Sequence, residues 1–286
     1  MDGRRLIARG LRWLRGDKSA GQQFPEGLAP WRVVGDSVAG SAHRNYGQPC
    51  QDAVGWALGP DRCLIVAVAD GAGSAKLGGE GARLAVSTAV NNLAGRRSLG
   101  PGDSSKKDLL TALELARSAL MSEAEDRGVD VRELATTLIL LQATPHSVTA
   151  LQVGDGSAVI EDRQNGVIGL TKPQVGEYIN ETTFITADDA MDRVETVTHQ
   201  GSLSSGAVFS DGLQLLALKM PEGTPYTPFF DPLLRFVSSA TDAGAADEEL
   251  RSFLSSARVT SQTTDDLTLV LFALDESPAG PLDGNE

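Results

Sequence analysis

The sequence has little cysteine: Cys50 and Cys63 are the two thiols among 286 residues. Two cysteines cannot build a disulfide framework or a four-cysteine zinc site, so the composition favours a reducing compartment and we expect a cytoplasmic protein. Long apolar runs are missing as well, since no segment approaches the roughly 20 residues that a transmembrane helix requires.

Basic residues are outnumbered. The 25 lysines and arginines face 38 aspartates and glutamates, and the net charge is −13. A surface of this sign repels phosphate backbones, so we expect no nucleic-acid partner, whereas clustered carboxylates would attract cations. The hydrophobic fraction of 41% and the mean hydropathy of −0.12 are typical of a soluble globular protein with a substantial core.

The chain divides by composition into three parts. Residues 1–30 form a basic N-terminal extension and linker, residues 31–274 one folded domain, and residues 275–286 an acidic tail that we expect to be disordered. The extension is either a disordered segment or an amphipathic helix that makes a weak contact with a membrane surface or a protein partner. We expect a monomer.

The folded part is predicted to contain strands before, between and after two groups of helices. Apolar spacing predicts a helix that ends at Gly95 and another through Leu109–Leu120. "CLIVAVAD", "ATTLILLQAT", "SVTALQVGDGSAVIED", "ETTFIT" and "DDLTLVLFAL" are strand-like, and Asp155-Gly156 predicts a hairpin turn. Asp231 and Pro232 are predicted to begin a later helix. This order disfavours a doubly wound parallel sheet and favours packed antiparallel sheets with helices outside, an α+β fold.

Four strand-like segments end or begin at an aspartate beside a small or polar residue. These aspartates are Asp52, Asp70, Asp211 and Asp265. A carboxylate at the end of a buried strand is costly unless a cation compensates it, and Mg²⁺ and Mn²⁺ prefer such oxygen ligands. Glycine follows Asp70 and Asp211, where it lets the backbone bend sharply and approach a ligand closely. Each Asp-Gly pair alone is typical of a solvated turn.

The combination resembles the metal-dependent protein serine/threonine phosphatases of type 2C, the PPM class, in a divergent bacterial branch. The motifs occur in the order "QDA", "VADGAGS", "ATTLILL", "GDGSAVI", "FSDGL" and "TDDLTLVLF", spanning about residues 33–274. The resemblance implies a four-layer α-β-β-α sandwich of two antiparallel sheets flanked by helices. It also implies two or three Mn²⁺ or Mg²⁺ ions held by Asp52, Asp70, the Gly71 carbonyl, Asp211, Asp265 and, for a weaker third ion, Asp155.

The sequence departs from the family pattern at the substrate side. Gln51 stands where the family has a glutamate, and the arginine that contacts the substrate phosphate has no match at its usual spacing. His43 and Arg44 in "SAHRNYGQPCQDA" are the nearest candidates, with Lys76 as a further one. His43 could bind phosphate or protonate the leaving oxygen, or it could simply hydrogen-bond within its loop. We therefore take Asp52, His43 and Arg44 as candidate catalytic residues.

The resemblance implies hydrolysis of phosphoserine and phosphothreonine in proteins by a water that two metal ions activate. A phosphorylated protein substrate and a cognate serine/threonine kinase follow as expected partners. The departures leave an alternative open, in which a catalytically weak relative binds a phosphoprotein or a signalling partner as a regulator.

Overall fold

The computed structural model describes residues 31–59, 63–95, 103–174 and 182–275. The predicted N-terminal extension and residues 276–286 of the predicted tail lie outside these ranges. Among the described helices, none combines the length and the apolar character needed to cross a bilayer.

The first of two five-stranded antiparallel sheets joins the beginning and the end of the described chain. Its strands, in spatial order, are β1 (Trp31–Val38), β12 (Leu267–Leu274), β9 (Leu203–Phe209), β6 (Ser157–Asp162) and β7 (Gly166–Gly169). Strand β12 lies between β1 and β9 and is buried along almost its whole length. The apolar run "LTLVLFAL" suits this central position because both of its faces are covered.

The second five-stranded sheet is a meander with one strand added at its far side. Its order is β2 (Ala53–Leu58), β3 (Leu64–Ala69), β4 (Leu138–Thr144), β5 (Ser147–Val153) and β8 (Glu195–Gln200), and all neighbours are antiparallel. A short ribbon of β10 (Leu218–Lys219) and β11 (Thr224–Pro225) stands apart. All six residues of β3 are buried, as the unbroken apolar run predicts.

An apolar layer lies between the two sheets. Val66 and Leu141 from the second sheet pack there with Ile160 and Phe272 from the first. The Phe272 ring also meets the Trp31 ring edge-on, with centroids 5.8 Å apart. Because this layer fixes one sheet against the other, it also fixes the strand ends that carry the aspartates.

Helices cover the outer face of each sheet. The described helices are α1 (Ser41–Asn45), α2 (Gly78–Ala94), α3 (Asp103–Arg127), α4 (Gln214–Ala217), α5 (Thr227–Ser239), α6 (Ala243–Leu254) and α7 (Ala257–Thr260). Apolar residues of α2 and α3 pack on the second sheet, and those of α5 and α6 pack on the first. The expected α-β-β-α sandwich is confirmed.

Three local predictions were wrong. The Asp155-Gly156 turn is not a hairpin, because β5 and β6 belong to different sheets and the chain crosses between them at this point. Helix α5 begins at Thr227 rather than after Asp231, with Pro228 in its first turn and Pro232 inside the helix. The described residues of "ETTFIT" form no strand, and Ile185 instead donates a single backbone bond to Thr136.

Candidate active site

Three aspartates from different strands converge at one end of the sandwich. Asp70 follows β3, Asp155 follows β5 and Asp211 follows β9, so two of them come from one sheet and the third from the other. One carboxylate oxygen of each lies within 4.8 Å of those of the other two. Residues 56 to 141 positions apart in the sequence therefore present oxygen ligands to one small volume.

The carboxylates in this cluster raise one another's pKa. Burial is the main cause of a raised pKa at Asp70, and the charges of Asp52 and Asp211 add to it. Burial also raises the pKa of Asp211 to about 7, and the charges of Asp155 and Asp265 act in the same direction. Burial and mutual repulsion therefore disfavour the charged form of these carboxylates, and a bound cation would offset that cost.

Asp52 lies beside the cluster and is 6% exposed. Its Oδ2 accepts hydrogen bonds from the hydroxyls of Thr268 (2.6 Å) and Ser210 (2.7 Å), while its Oδ1 is buried without a hydrogen-bond partner. Burial raises the pKa of Asp52 to about 6, although the two hydroxyl groups oppose the increase.

Asp265 lies at the exposed rim of the cluster. Its Oδ1 accepts the N–H of Asp266 at 2.8 Å. Its charge raises the pKa values of Asp70, Asp155 and Asp211, although in each case burial is the larger cause. Asp265 is thus near the three convergent aspartates without belonging to their tightest group.

Gly71 is held by backbone contacts on two sides. Its N–H donates to the Gln51 carbonyl at 3.3 Å, and a β-bridge joins it to Thr136. When the Gln51 amide is oriented to donate, it reaches the Gly71 carbonyl at 3.2 Å. The glutamine that replaces the family's glutamate therefore contacts the carbonyl expected to bind a metal.

The glycines after Asp70 also serve a packing role that the sequence analysis did not include. A β-carbon on Gly71 would lie 2.4 Å from the backbone carbon of Gly78, at the start of α2. A β-carbon on Gly78 would in turn lie 2.8 Å from the Ala72 carbonyl oxygen. The low bulk after Asp70 thus lets the first turn of α2 touch the loop backbone directly.

The backbone at Asp70 is fixed by the adjacent threonines of the "ATTL" segment. The Asp70 N–H donates to the Thr137 hydroxyl at 3.0 Å, and the Asp70 carbonyl accepts from the Thr136 hydroxyl at 2.8 Å and from the Thr137 N–H at 2.9 Å. The segment that leads into β4 thereby sets the direction of the carboxylate that follows β3.

The turn that carries Asp155 is held by glutamine side chains that the sequence analysis missed. Nε2 of buried Gln152 donates to the carbonyls of Gly154 and Gly156, both at 2.9 Å. Gln214 donates to the Asp155 carbonyl at 2.6 Å, and the Asp155 carboxylate accepts from the Thr182 hydroxyl, also at 2.6 Å. One glutamine within a strand and another at the start of a short helix carry no local pattern that would have indicated this function.

His43 and Arg44 lie on the short helix α1, which adjoins the cluster through the segment that leads into β12. Nδ1 of His43 is 2.8 Å from Oδ1 of Asp266. Arg44 is exposed. Lys76 is 85% exposed at its side chain, and its ammonium lies 3.6 Å from Glu133, so the cation contacts a surface carboxylate.

Asp266 is the principal site residue that the sequence analysis missed. The side chain is 2% exposed, and its oxygens accept the N–H groups of Gly40 at 2.7 Å and Gln51 at 2.6 Å as well as contacting His43. Two consecutive acids in "TTDDLTL" signalled a functional position. The amino-acid sequence does not indicate that Asp265 is exposed at the rim of the cluster while the side chain of Asp266 is buried.

The chain matches proteins of known class over most of its length. The family model described as "Protein phosphatase 2C" matches residues 39–255. "Serine/threonine-protein phosphatase 3" of Escherichia coli (strain K12) is 39% identical over 249 residues, which cover 84% of this chain and 97% of that protein.

Solved structures match the fold at lower identity. Serine/threonine phosphatase Stp1 from Staphylococcus aureus is 15% identical with a TM-score of 0.61, over 89% of this chain and 99% of that one. The catalytic domain of the phosphatase PstP, solved with two manganese ions, is 16% identical with a TM-score of 0.58, over 86% and 99% of the two chains. The resemblance found in the sequence motifs is confirmed, and the chain belongs to the protein phosphatase 2C family.

Proposed function

We propose that this chain is a metal-dependent protein phosphatase that hydrolyses phosphoserine and phosphothreonine esters. The observation that carries the proposal is the convergence of Asp70, Asp155 and Asp211, whose ligand oxygens lie within 4.8 Å of one another. The 39% identity to a serine/threonine phosphatase over most of both chains supports the same activity.

The residues present suit a divalent metal. Oxygen ligands alone, several carboxylates and a buried Asp52 Oδ1 without a partner are the donor set that Mn²⁺ and Mg²⁺ prefer. We propose that Asp52, Asp70, Asp155, Asp211 and Asp265 would hold two or three such ions, with the Gly71 carbonyl as a further ligand. When bound, the ions would supply an activated water and would offset charge on the phosphate group.

The side chains next to the cluster would then bind and orient the phosphoester. Arg44 is exposed and cationic, so it can meet phosphate oxygens from solvent with two parallel N–H donors. His43 is anchored through Nδ1, which leaves Nε2 for the substrate. Asp52 is held through Oδ2 by Ser210 and Thr268, which leaves its buried Oδ1 without a protein partner.

Asp70→Asn tests the proposal. Loss of a residue that hydrogen-bonds to a metal ligand typically lowers metal affinity about 10–100-fold. Because Asp70 is proposed to be a ligand itself, we expect this substitution to weaken Mn²⁺ binding by at least that factor. Hydrolysis of a phosphothreonine peptide should fall with it. The matched control is Asp36→Asn, since the pKa of Asp36 is also raised by burial but its carboxylate contacts Arg251 on α6. Full activity of the Asp70→Asn protein would refute the assignment.

A weak phosphatase-like regulator is the second candidate. The observation that favours it is the Gln51 amide, which contacts the Gly71 carbonyl where the family has a carboxylate. Calorimetric titration separates the two functions, because a regulator of this kind would bind no Mn²⁺ at millimolar concentration. The chain nevertheless retains all five aspartates proposed as metal ligands, which favours the phosphatase over the regulator.

We further propose a cytoplasmic monomer that opposes a cognate serine/threonine kinase. Neither Cys50 nor Cys63 forms a disulfide bond, which supports a reducing compartment. The basic segment within residues 1–20 would add a weak contact with an anionic membrane or an acidic partner. Flotation with anionic vesicles, comparing the full chain with a variant that begins at Gln22, tests this contact, and equal behaviour of the two proteins would exclude it.

A further inference from the structure

The Asp266 carboxylate joins three segments that surround the substrate side of the cluster. Its Oδ1 accepts the N–H of Gly40 and contacts Nδ1 of His43, while its Oδ2 accepts the N–H of Gln51. Both oxygens are therefore engaged at 2.6–2.8 Å by groups of this chain. A carboxylate occupied in this way acts on its neighbours by fixing their positions.

His43 is the part of this arrangement with unused hydrogen-bonding capacity. Its side chain is 14% exposed, Nδ1 faces Asp266, and no described residue hydrogen-bonds to Nε2. A carboxylate on one ring nitrogen fixes the tautomer and the ring orientation, so the other nitrogen is left to act on a ligand. The ring is thus oriented by its protein contacts with one nitrogen free.

The same bonds connect the ring to the acidic cluster. Gln51, which donates to Asp266, precedes Asp52, and its carbonyl accepts the N–H of Gly71. The Asp266 charge is close enough to contribute to the raised pKa of Asp52. Asp266 therefore holds His43 in a fixed relation to the residues proposed to bind the metals.

We propose that Asp266 is a positioning residue and that His43 delivers a proton from Nε2 to the leaving oxygen of the phosphoester, an inference that rests on the proposed function. As water adds to phosphorus, the bond from phosphorus to the serine or threonine oxygen breaks and its electron pair stays on that oxygen. The imidazolium form of His43, with one N–H directed at Asp266, gives its Nε2 proton to this oxygen, which leaves as an alcohol. The ring is left neutral with its remaining proton on Nδ1, and it regains the Nε2 proton from solvent. General acid catalysis of this kind contributes about 10²–10⁴-fold to a rate.

The chain contains a matched control pair. His199 in β8 contacts the buried carboxylate of Asp162 at 3.2 Å, so the same two residue types meet with similar burial. Asp162 ends β6, a strand that leads away from the Asp155 turn over roughly 20 Å at about 3.3 Å per residue. His199→Asn therefore removes a similar histidine–aspartate contact that lies outside the site, and it serves as the control for His43→Asn.

The test compares two substrates whose leaving groups differ. The alkoxide leaving from a phosphothreonine peptide needs a proton, whereas the p-nitrophenolate leaving from p-nitrophenyl phosphate does not. We expect His43→Asn, whose amide can still reach Asp266, to lower kcat on the phosphopeptide on the order of 100-fold and to change kcat on the aryl phosphate far less. Asp266→Asn should show the same substrate pattern with a smaller loss, while His199→Asn should leave the ratio of the two kcat values unchanged.

Mn²⁺ titration of His43→Asn by calorimetry should give the wild-type affinity, which separates proton delivery from damage to the metal site. Near-wild-type turnover of the phosphopeptide by His43→Asn would overturn the proposal, and so would equal losses on both substrates. Wild-type protein that hydrolyses neither substrate would refute the proposed function itself, a result distinct from either of these.

Discussion

Two hydroxyl groups place the Asp52 carboxylate at the floor of the site. Thr268 and Ser210 come from β12 and from the end of β9, and both donate to Oδ2, so the first sheet orients an aspartate that leads into the second. Oδ1 is left directed away from these donors and has no partner. Hydrogen bonds to one oxygen thus prepare the other to act as a ligand.

Thr268→Val tests this arrangement. Valine keeps the shape but removes the donor at 2.6 Å, so we expect Mn²⁺ affinity to fall by about 10–100-fold, as for other lost partners of a metal ligand. Calorimetric titration measures the change. Thr149→Val is the control, because Thr149 is an equally buried strand threonine whose hydroxyl pairs with Thr198. Equal affinities for the two variants would contradict the proposed positioning.

For individual residues, the sequence indicates which aspartates belong to the site but not how their side chains are oriented. Asp70 and Asp211 could be singled out because each follows a strand-like run and precedes a glycine, whereas Asp155 was expected as a ligand only from the family resemblance. The inward turn of Asp266 depends on the N–H groups of Gly40 and Gln51, which are more than 200 residues distant in the sequence. Contacts between residues so far apart in the chain produce no periodic pattern in the amino-acid sequence.

Among the elements, helix α2 and the loop after β3 act as one unit. The backbones of Gly71 and Gly78 approach so closely that a β-carbon on either would overlap the other segment. The helix therefore supports the loop between Asp70 and its own first turn. From the sequence, Gly71 was expected to let the backbone approach a ligand closely, and the structure adds helix packing as a second reason for a glycine at this position.

Gly71→Ala should disrupt this contact. The added carbon would lie 2.4 Å from backbone atoms, which cannot rotate away, so we expect a loss of about 1–3 kcal/mol in the free energy of unfolding. Gly73→Ala in the same loop meets no atom within 4 Å and should change stability by less than about 0.5 kcal/mol. Urea denaturation of both variants measures the difference, and similar values would contradict the packing explanation.

Element types were easier to predict than their connections. Strands β3, β4 and β12 and helices α2 and α3 follow from long apolar patterns, because burial of a whole element repeats along the sequence. The crossing at Asp155 was predicted as a hairpin because Asp-Gly suits both kinds of turn. Which sheet the next strand joins is decided by packing beyond the turn.

Across the whole molecule, the two sheets are joined on the side away from the site by a contact between a histidine and a buried carboxylate. Asp162 of β6 in the first sheet contacts His199 of β8 in the second at 3.2 Å. The His199 bond is the main cause that lowers the pKa of Asp162 to about 2, and the N–H groups of Gln164 and Asn165 act in the same direction. The folded state therefore favours the charged carboxylate.

A lowered pKa makes this contact sensitive to acid. The stabilisation is fully present above the ordinary pKa of 3.8 and is lost as pH falls through about 2. We therefore expect the difference in unfolding free energy between wild type and Asp162→Asn to shrink as pH decreases from about 4 towards 2. Urea denaturation over this range measures it, with the exposed pair of Asp189 and Arg193 as the control through Asp189→Asn. A constant difference would contradict the linkage.

Cys50 and Cys63 have a practical consequence for experiments on this molecule. Cys63 is 1% exposed, and the pKa of the half-buried Cys50 thiol is raised first by burial and then by the charges of Asp52 and Asp266. Maleimides and iodoacetamide react with thiolates, so both native sulfurs should label slowly at neutral pH. A cysteine introduced by Leu215→Cys, at a side chain that is 72% exposed four residues after Asp211, would therefore accept a fluorophore selectively without removal of either native thiol.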